Sequence, residues 1–195
     1  MSRRVLFLAF LLSLYQGAPA LAQTETGAGE RRFLQPGVHA HWQEVRFGVL
    51  AYDRGFFSTD DFSGVVINGE YVFRSPEFLR PVGSPRPYIG FDVAIADDPI
   101  HFVYGGLNWD FRISDRIYLG LSLGGAVTTA EDLKNPSNYK ALGCRALFHL
   151  GAAVGYDFSE RWTVQAYTDH FSHGGLCSSV NNGAEATGIR IGYRF

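Results

Sequence analysis

From residue 43 onward the chain alternates between apolar and polar or small residues with a period of two, and eight such segments follow one another. In the first, Val45, Phe47, Val49 and Ala51 share one parity against Glu44, Arg46 and Gly48. In the second, Val65, Ile67, Tyr71 and Phe73 oppose Asn68 and Glu70. The third sets Ile89, Phe91, Val93 and Ile95 against Gly90, Asp92 and Ala94, and the fourth sets Val103, Leu107, Trp109 and Phe111 against Asn108 and Asp110. The fifth is the clearest, with Ile117, Leu119, Leu121, Leu123 and Val127 against Gly120, Ser122 and Gly124. The sixth has Phe148, Leu150, Ala152, Val154, Tyr156 and Phe158 opposite Arg145, His149, Gly151, Gly155 and Asp157. In the seventh, Trp162, Val164 and Ala166 oppose Thr163, Gln165 and Asp169; in the last, Ile189, Ile191, Tyr193 and Phe195 oppose Gly188, Arg190, Gly192 and Arg194.

Each segment is about the 9–11 residues that a tilted strand needs to cross hydrocarbon. A soluble β-sandwich alternates in the same way, with its apolar face inward, so alternation alone leaves both architectures open. Three features favour an all-β, eight-stranded antiparallel transmembrane barrel over residues 43–195. The polar parity mixes Arg, Asp, Glu and Asn with many Gly, which suits the crowded interior of a small barrel. Trp and Tyr stand near strand ends, where Trp109, Trp162 and Tyr193 read as membrane-interface anchors. The last strand closes on Phe195, which resembles the terminal aromatic of outer-membrane barrels.

The connections follow the same rhythm. With both ends of the barrel in the periplasm, 112–115 and 159–160 are periplasmic turns and are short, whereas 53–63, 129–143 and 173–184 are extracellular and long. Two connections depart from it: 74–86, with three Pro, is long for a periplasmic turn, and 97–99 is short for an outer loop. Ahead of the barrel, Arg3 and Arg4, the apolar run from Val5 to Tyr15 and the small-x-small sequence Ala20-Leu21-Ala22 predict a cleavable signal peptide over 1–22. Residues 23–42 read as an extended, solvated lead-in that includes His39 and His41. Cleavage would move the formal charge from −2 to −4, because the removed residues hold two Arg and no acid; that balance excludes a nucleic-acid footprint. Export also places Cys144 and Cys177 in an oxidising compartment, where a disulfide between them and two free thiols are both open. Neither Cys has the short-spaced partner of a zinc site, so no metal is expected.

Candidate chemistry lies at the end of the seventh segment. His170 and Ser172 are two apart and share the parity of Trp162, Val164 and Ala166, which is the lipid-facing one. Glu185 shares parity with Ile189, Ile191, Tyr193 and Phe195, so pairing of the last two strands gathers all three at the extracellular rim. A base, an alcohol and an acid facing lipid cost free energy there, which favours a functional reading over a packing one. As a hydrolase, Ser172 is the nucleophile, His170 its base and Glu185 the acid that orients the imidazole. Gly174 and Gly175 would offer backbone N–H groups to an oxyanion, assisted by the His173 side chain. The bland reading places the same residues at the headgroup level, where polar side chains are ordinary. His101 starts the fourth strand at the rim; His149, Arg145, Arg190, Asp92, Asp110 and Glu70 read as interior groups, the charged ones forming a network that fills the lumen.

The text HFSHGGLCSSVNNGAEATGIRIGYRF, residues 170–195, resembles the lipid A 3-O-deacylase (PagL) family and the related acyloxyacyl hydrolases. GGLNWDFRISDRIYLGLSLGGAV (105–127) and ALGCRALFHLGAAVGYDFSERWTV (141–164) are similar to it as well, while residues 23–85 match in pattern only. The resemblance implies an outer-membrane barrel that cleaves an ester-linked acyl chain of lipid A, or lipopolysaccharide, with water and without a cofactor. It also implies the roles already assigned to His170, Ser172 and Glu185. The family has Asn after the Ser, where this chain has His173, and the His-to-Glu spacing is one residue longer here, an insertion the Cys177–Val180 loop can absorb. A non-enzymatic structural barrel and an esterase for another acylated envelope lipid are the alternatives.

Overall fold

In the computed structural model, the chain is described over residues 34–55, 64–97, 99–131, 133, 140–177 and 179–195. The expected signal peptide at 1–22 and the lead-in as far as residue 33 lie outside those residues. Eight strands run as the alternation predicts: β1 Glu44–Tyr52, β2 Gly64–Val72, β3 Arg86–Ala96, β4 Phe102–Arg112, β5 Ile117–Thr128, β6 Ala146–Asp157, β7 Trp162–Ser172 and β8 Ala184–Arg194. Each pairs antiparallel with its neighbours in sequence. Pairing of β1 with β8, from Glu44↔Arg194 to Tyr52↔Ala186, closes the ring. Gln43 and Phe195 finish that seam by exchanging backbone hydrogen bonds. Closure leaves no sheet edge in the barrel wall, as a hydrocarbon surround requires.

Parity decides which residues face which solvent. Phe47, Leu123, Val154 and Ile189 stand 53–57% exposed on the outer face, while Arg86, Arg190 and Arg194 are 1% exposed within. For a protein in water that distribution is inside out; in a bilayer it matches each face to its surroundings, so the barrel spans the membrane.

The lumen is filled by pairing opposite charges. Glu44 accepts from Arg46 (3.1 Å) and Arg86 (2.8 Å), Glu70 pairs with Arg46 (3.2 Å) and Arg190 (2.7 Å), and Asp110 pairs with Arg86 (2.6 Å). Losing one partner would leave a buried charge uncompensated, so these groups hold one another in place.

Two expectations are corrected. His39 is not solvated: residues 35–36 pair with β4, and the chain then carries His39 into the periplasmic mouth, where it bonds Asp110 (3.1 Å) and Asp157 (3.0 Å). Its burial to 3% follows from those two carboxylates, which lie 71 and 118 positions away and cannot be matched to it by local pattern. Arg145 is not interior either, because β6 begins only at Ala146; it is exposed and donates to the Thr128 carbonyl at the rim. The long connection 74–86 contains a 3-10 helix, Glu77–Val82, tied to the barrel by the Trp109 indole N–H donating to the Val82 carbonyl at 2.9 Å.

Candidate active site

The end of β7 is held from inside. Phe171, between the two candidate residues, is 1% exposed and lies flat on Phe102 at 4.0 Å between ring centroids, with His149 4.9 Å away on the same lumen side. That stack anchors the inward parity, so alternation turns His170 and Ser172 outward. His149, read as interior, is fully buried and bridges the Tyr88 hydroxyl (2.6 Å) and the Tyr167 hydroxyl (3.3 Å), a structural position.

In the β7–β8 ladder His170 stands directly opposite Glu185. Their side chains meet at 2.8 Å between Nδ1 and Oε1. A carboxylate only accepts, so the imidazole proton sits on Nδ1 and the neutral ring carries its acceptor lone pair on Nε2. The His170 side chain is 21% exposed and that of Glu185 only 3%. Ser172, half-buried, lies two residues on from His170 with their Cα atoms roughly 6.6 Å apart along the strand, on the outer face.

Glycines make room for this pair. A Cβ at Gly55, in the turn after β1, would overlap the Glu185 carboxylate, so the backbone itself covers the acid. Gly183 takes φ +68°, and a Cβ there would stand 2.9 Å from His170 Cε1. Any side chain at 183 would carry backbone strain and crowd the imidazole edge. Neither glycine nor Phe171 was marked by the sequence, because their importance comes from neighbours brought together by the barrel.

The outer loops are tied around the site. Cys144 and Cys177 form a disulfide that joins the β5–β6 loop to the β7–β8 loop. Asp53, two residues before Gly55, pairs with Lys140, both 1–2% exposed, and the Asn182 N–H donates to the Ala141 carbonyl. Closing a loop with 33 residues of sequence separation restricts the unfolded chain by about 3–4 kcal/mol in the chain-entropy account. Reduction is therefore expected to lower the temperature at which the folded, fast-migrating band converts on a gel; an unshifted transition after verified alkylation of both thiols would remove the disulfide's stabilising role.

His173 is placed differently from expectation. Its ring is 1% exposed, Nε2 stands 2.8 Å from the Val180 carbonyl, and Nδ1 receives the N–H groups of Gly175 (3.1 Å) and Cys177 (3.3 Å). Nδ1 must accept and Nε2 must donate, so the one N–H of the neutral ring is committed to the loop and cannot serve an oxyanion. Gly175 is corrected for the same reason, since its N–H points at His173. The backbone N–H of Gly174 is the remaining expected donor, and the Phe148 ring lies beside that residue. Because the shorter Asn amide can stand where Nδ1 does but cannot also reach the Val180 carbonyl that Nε2 meets, His173→Asn is expected to reduce turnover several-fold and to loosen the loop, measured as faster proteolysis at 174–180; wild-type rates would overturn the loop-organising role.

Comparison with known proteins adds a likeness to one family over part of the chain, and a fold. The family model described as lipid A 3-O-deacylase (PagL) matches residues 100–194. The barrel is similar to the crystal structure of the outer membrane enzyme PagL, with a TM-score of 0.58 at 15% identity, covering 77% of this chain and 98% of that one. It is also similar to the N-terminal β-barrel domain of OprF from Pseudomonas aeruginosa, with a TM-score of 0.53 at 12% identity, covering 80% and 98%. No curated protein sequence matches significantly.

Proposed function

Residues 100–194 carry the pattern of the lipid A 3-O-deacylase (PagL) family, and on that footing we propose that this outer-membrane barrel hydrolyses an ester-linked acyl chain of lipid A. Ser172 Oγ attacks the ester carbonyl while His170 Nε2 takes its proton. Glu185, bonded to Nδ1, holds the ring in that tautomer and stabilises the imidazolium. The Gly174 N–H would receive the developing oxyanion. Collapse expels the sugar oxygen, which leaves with the proton from His170, and Ser172 retains the acyl group as an ester. Water, deprotonated by the same imidazole, then releases the fatty acid and restores Ser172.

The observation that carries this reading is the 2.8 Å His170–Glu185 bond on the outer face of the barrel. A soluble substrate could not approach there, whereas a lipid of the same membrane meets the site by lateral diffusion. Mass spectra of lipid A from cells producing wild type, Ser172→Ala or neither protein test it. Loss of one acyl mass only with wild type is the expected result. Identical spectra from all three would leave a barrel without this activity, and release of fatty acid from phospholipid instead would reassign the substrate.

A further inference from the structure

The connection between β2 and β3, long for a periplasmic turn, lies against the outer wall of the barrel. Its 3-10 helix, Glu77–Val82, is followed by Gly83, where a Cβ would stand 3.5 Å from the Trp109 ring. Trp109 shares the outward parity of Val103 and Leu107 on β4, and its indole N–H holds the Val82 carbonyl at 2.9 Å. The other end is fixed as well: the Ser75 N–H donates to the Ala40 carbonyl at 2.7 Å and the Phe73 N–H to the Pro87 carbonyl at 2.8 Å. Between these ties the helix carries Phe78, Leu79 and Val82, yet none of its residues is buried. Phe78 is 78% exposed and Val82 50%. An apolar element held in place through its backbone, with side chains left uncovered by the described residues, calls for a partner outside the chain.

We infer that this segment is an interfacial anchor that docks on anionic phospholipid of the periplasmic leaflet, with Phe78 and Val82 among the first methylenes of the acyl chains and Arg74 and Arg80 against the headgroups. The occupant follows from continuity: Trp109 belongs to the wall that the bilayer covers, and the helix is bonded to it at that level. The aromatic belt of that wall has a matching gap. Tyr71 and Phe73, 4.7 Å apart between ring centroids, stand at the end of β2, and Tyr71 lies 6.3 Å from Phe195. Trp109 resumes the belt on β4, but β3 between them presents Pro87 and Ile89 on its outer face, with no aromatic until Phe91. Phe78 supplies that aromatic from outside the sheet. Charge agrees, because residues 73–83 hold Arg74 and Arg80 against Glu77 alone. The Arg80–Glu77 pair, 3.6 Å apart with side chains 80% and 91% exposed, is too solvated to bind tightly. A net basic segment beside a bilayer is drawn to anionic headgroups. Such an anchor would hold the depth of the barrel, and so the level at which Ser172 meets lipid; it stands whether or not Ser172 is a nucleophile.

Spin labelling reads the depth. Cys144 and Cys177 are bonded to each other, so in Phe78→Cys a nitroxide reagent takes position 78 alone. The full-length barrel is reconstituted in vesicles of phosphatidylethanolamine and phosphatidylglycerol. Leu121→Cys, on the outer face of β5, is the hydrocarbon reference, and Ser114→Cys, exposed in the β4–β5 turn, is the aqueous one. Collision with a water-soluble nickel chelate at 78 is expected to be about fivefold or more below that at 114, with oxygen collision rising toward the value at 121, as for a side chain sunk ~5–10 Å into the interface. Nickel access at 78 equal to that at 114 would overturn the anchor. So would protection from nickel and oxygen alike, or dipolar broadening between labels, since these mark a protein partner or a second copy in place of lipid. Replacing phosphatidylglycerol by phosphatidylcholine should make position 78 shallower, and should change nothing once Arg74→Gln and Arg80→Gln are added. An identical depth in both lipids with the arginines intact would overturn the choice of anionic lipid. Should Phe78→Cys lose its folded gel band, Val82→Cys takes the label with the same expectations.

Discussion

Ser172→Ala is expected to lower kcat for lipid A deacylation by about 10⁵–10⁶, the scale on which single removal of the nucleophile acts in serine hydrolases. The change deletes one oxygen from a half-buried position on the outer face, and neither the lumen network nor the ladder to Phe148 depends on it. The barrel should therefore keep its heat-modifiable band, and the loss should be catalytic. His170→Ala is expected to cost nearly as much, and the double variant no more than either single one, because the two groups act as one unit. That non-additivity distinguishes a mechanism from two ordinary headgroup-level polar residues, whose removal would leave the rate near wild type singly and together. Turnover in Ser172→Ala above the empty-vector background would end the serine mechanism.

Glu185→Gln is expected to lower kcat by about 10⁴ with KM little changed, as the equivalent acid-to-amide change does in Ser-His-Asp enzymes. The amide has the same shape and fits under Gly55, so the cover over the acid is retained. What changes is the proton: an amide N–H facing Nδ1 favours the opposite tautomer, which puts the imidazole proton on Nε2 and removes the base. Buried to 3% on its side chain, Glu185 has little water to replace its role. Gly55→Val should act in the same direction by a steric route, pushing the carboxylate off His170. A Gln variant within tenfold of wild type would show that the 2.8 Å bond is structural rather than catalytic.

The local pattern carried the strands, their faces and the lipid-facing parity of His170, Ser172 and Glu185, because side-chain direction in a strand repeats every two residues whatever the strand packs against. It carried the long outer loops and the short turns for a similar reason, since both are lengths of chain between alternating segments. It could not carry His39, whose burial depends on Asp110 and Asp157 from β4 and β6. Nor could it carry His173, which looked like a donor beside the nucleophile until the loop folded back and the Val180 carbonyl took its N–H. Arg145 was assigned by parity from a strand that had not yet begun.

The sequence by itself determined a barrel with an apolar outside, a charged inside and three reactive groups on the membrane-facing parity, since each of these follows from order and spacing along one strand at a time. Only the tertiary structure decided the bond between His170 and Glu185, the glycine cover at Gly55 and the Phe171 stack behind the site. Those depend on register between strands and on loops meeting across the mouth. Both are set when the ring closes, by contacts between residues far apart in the chain.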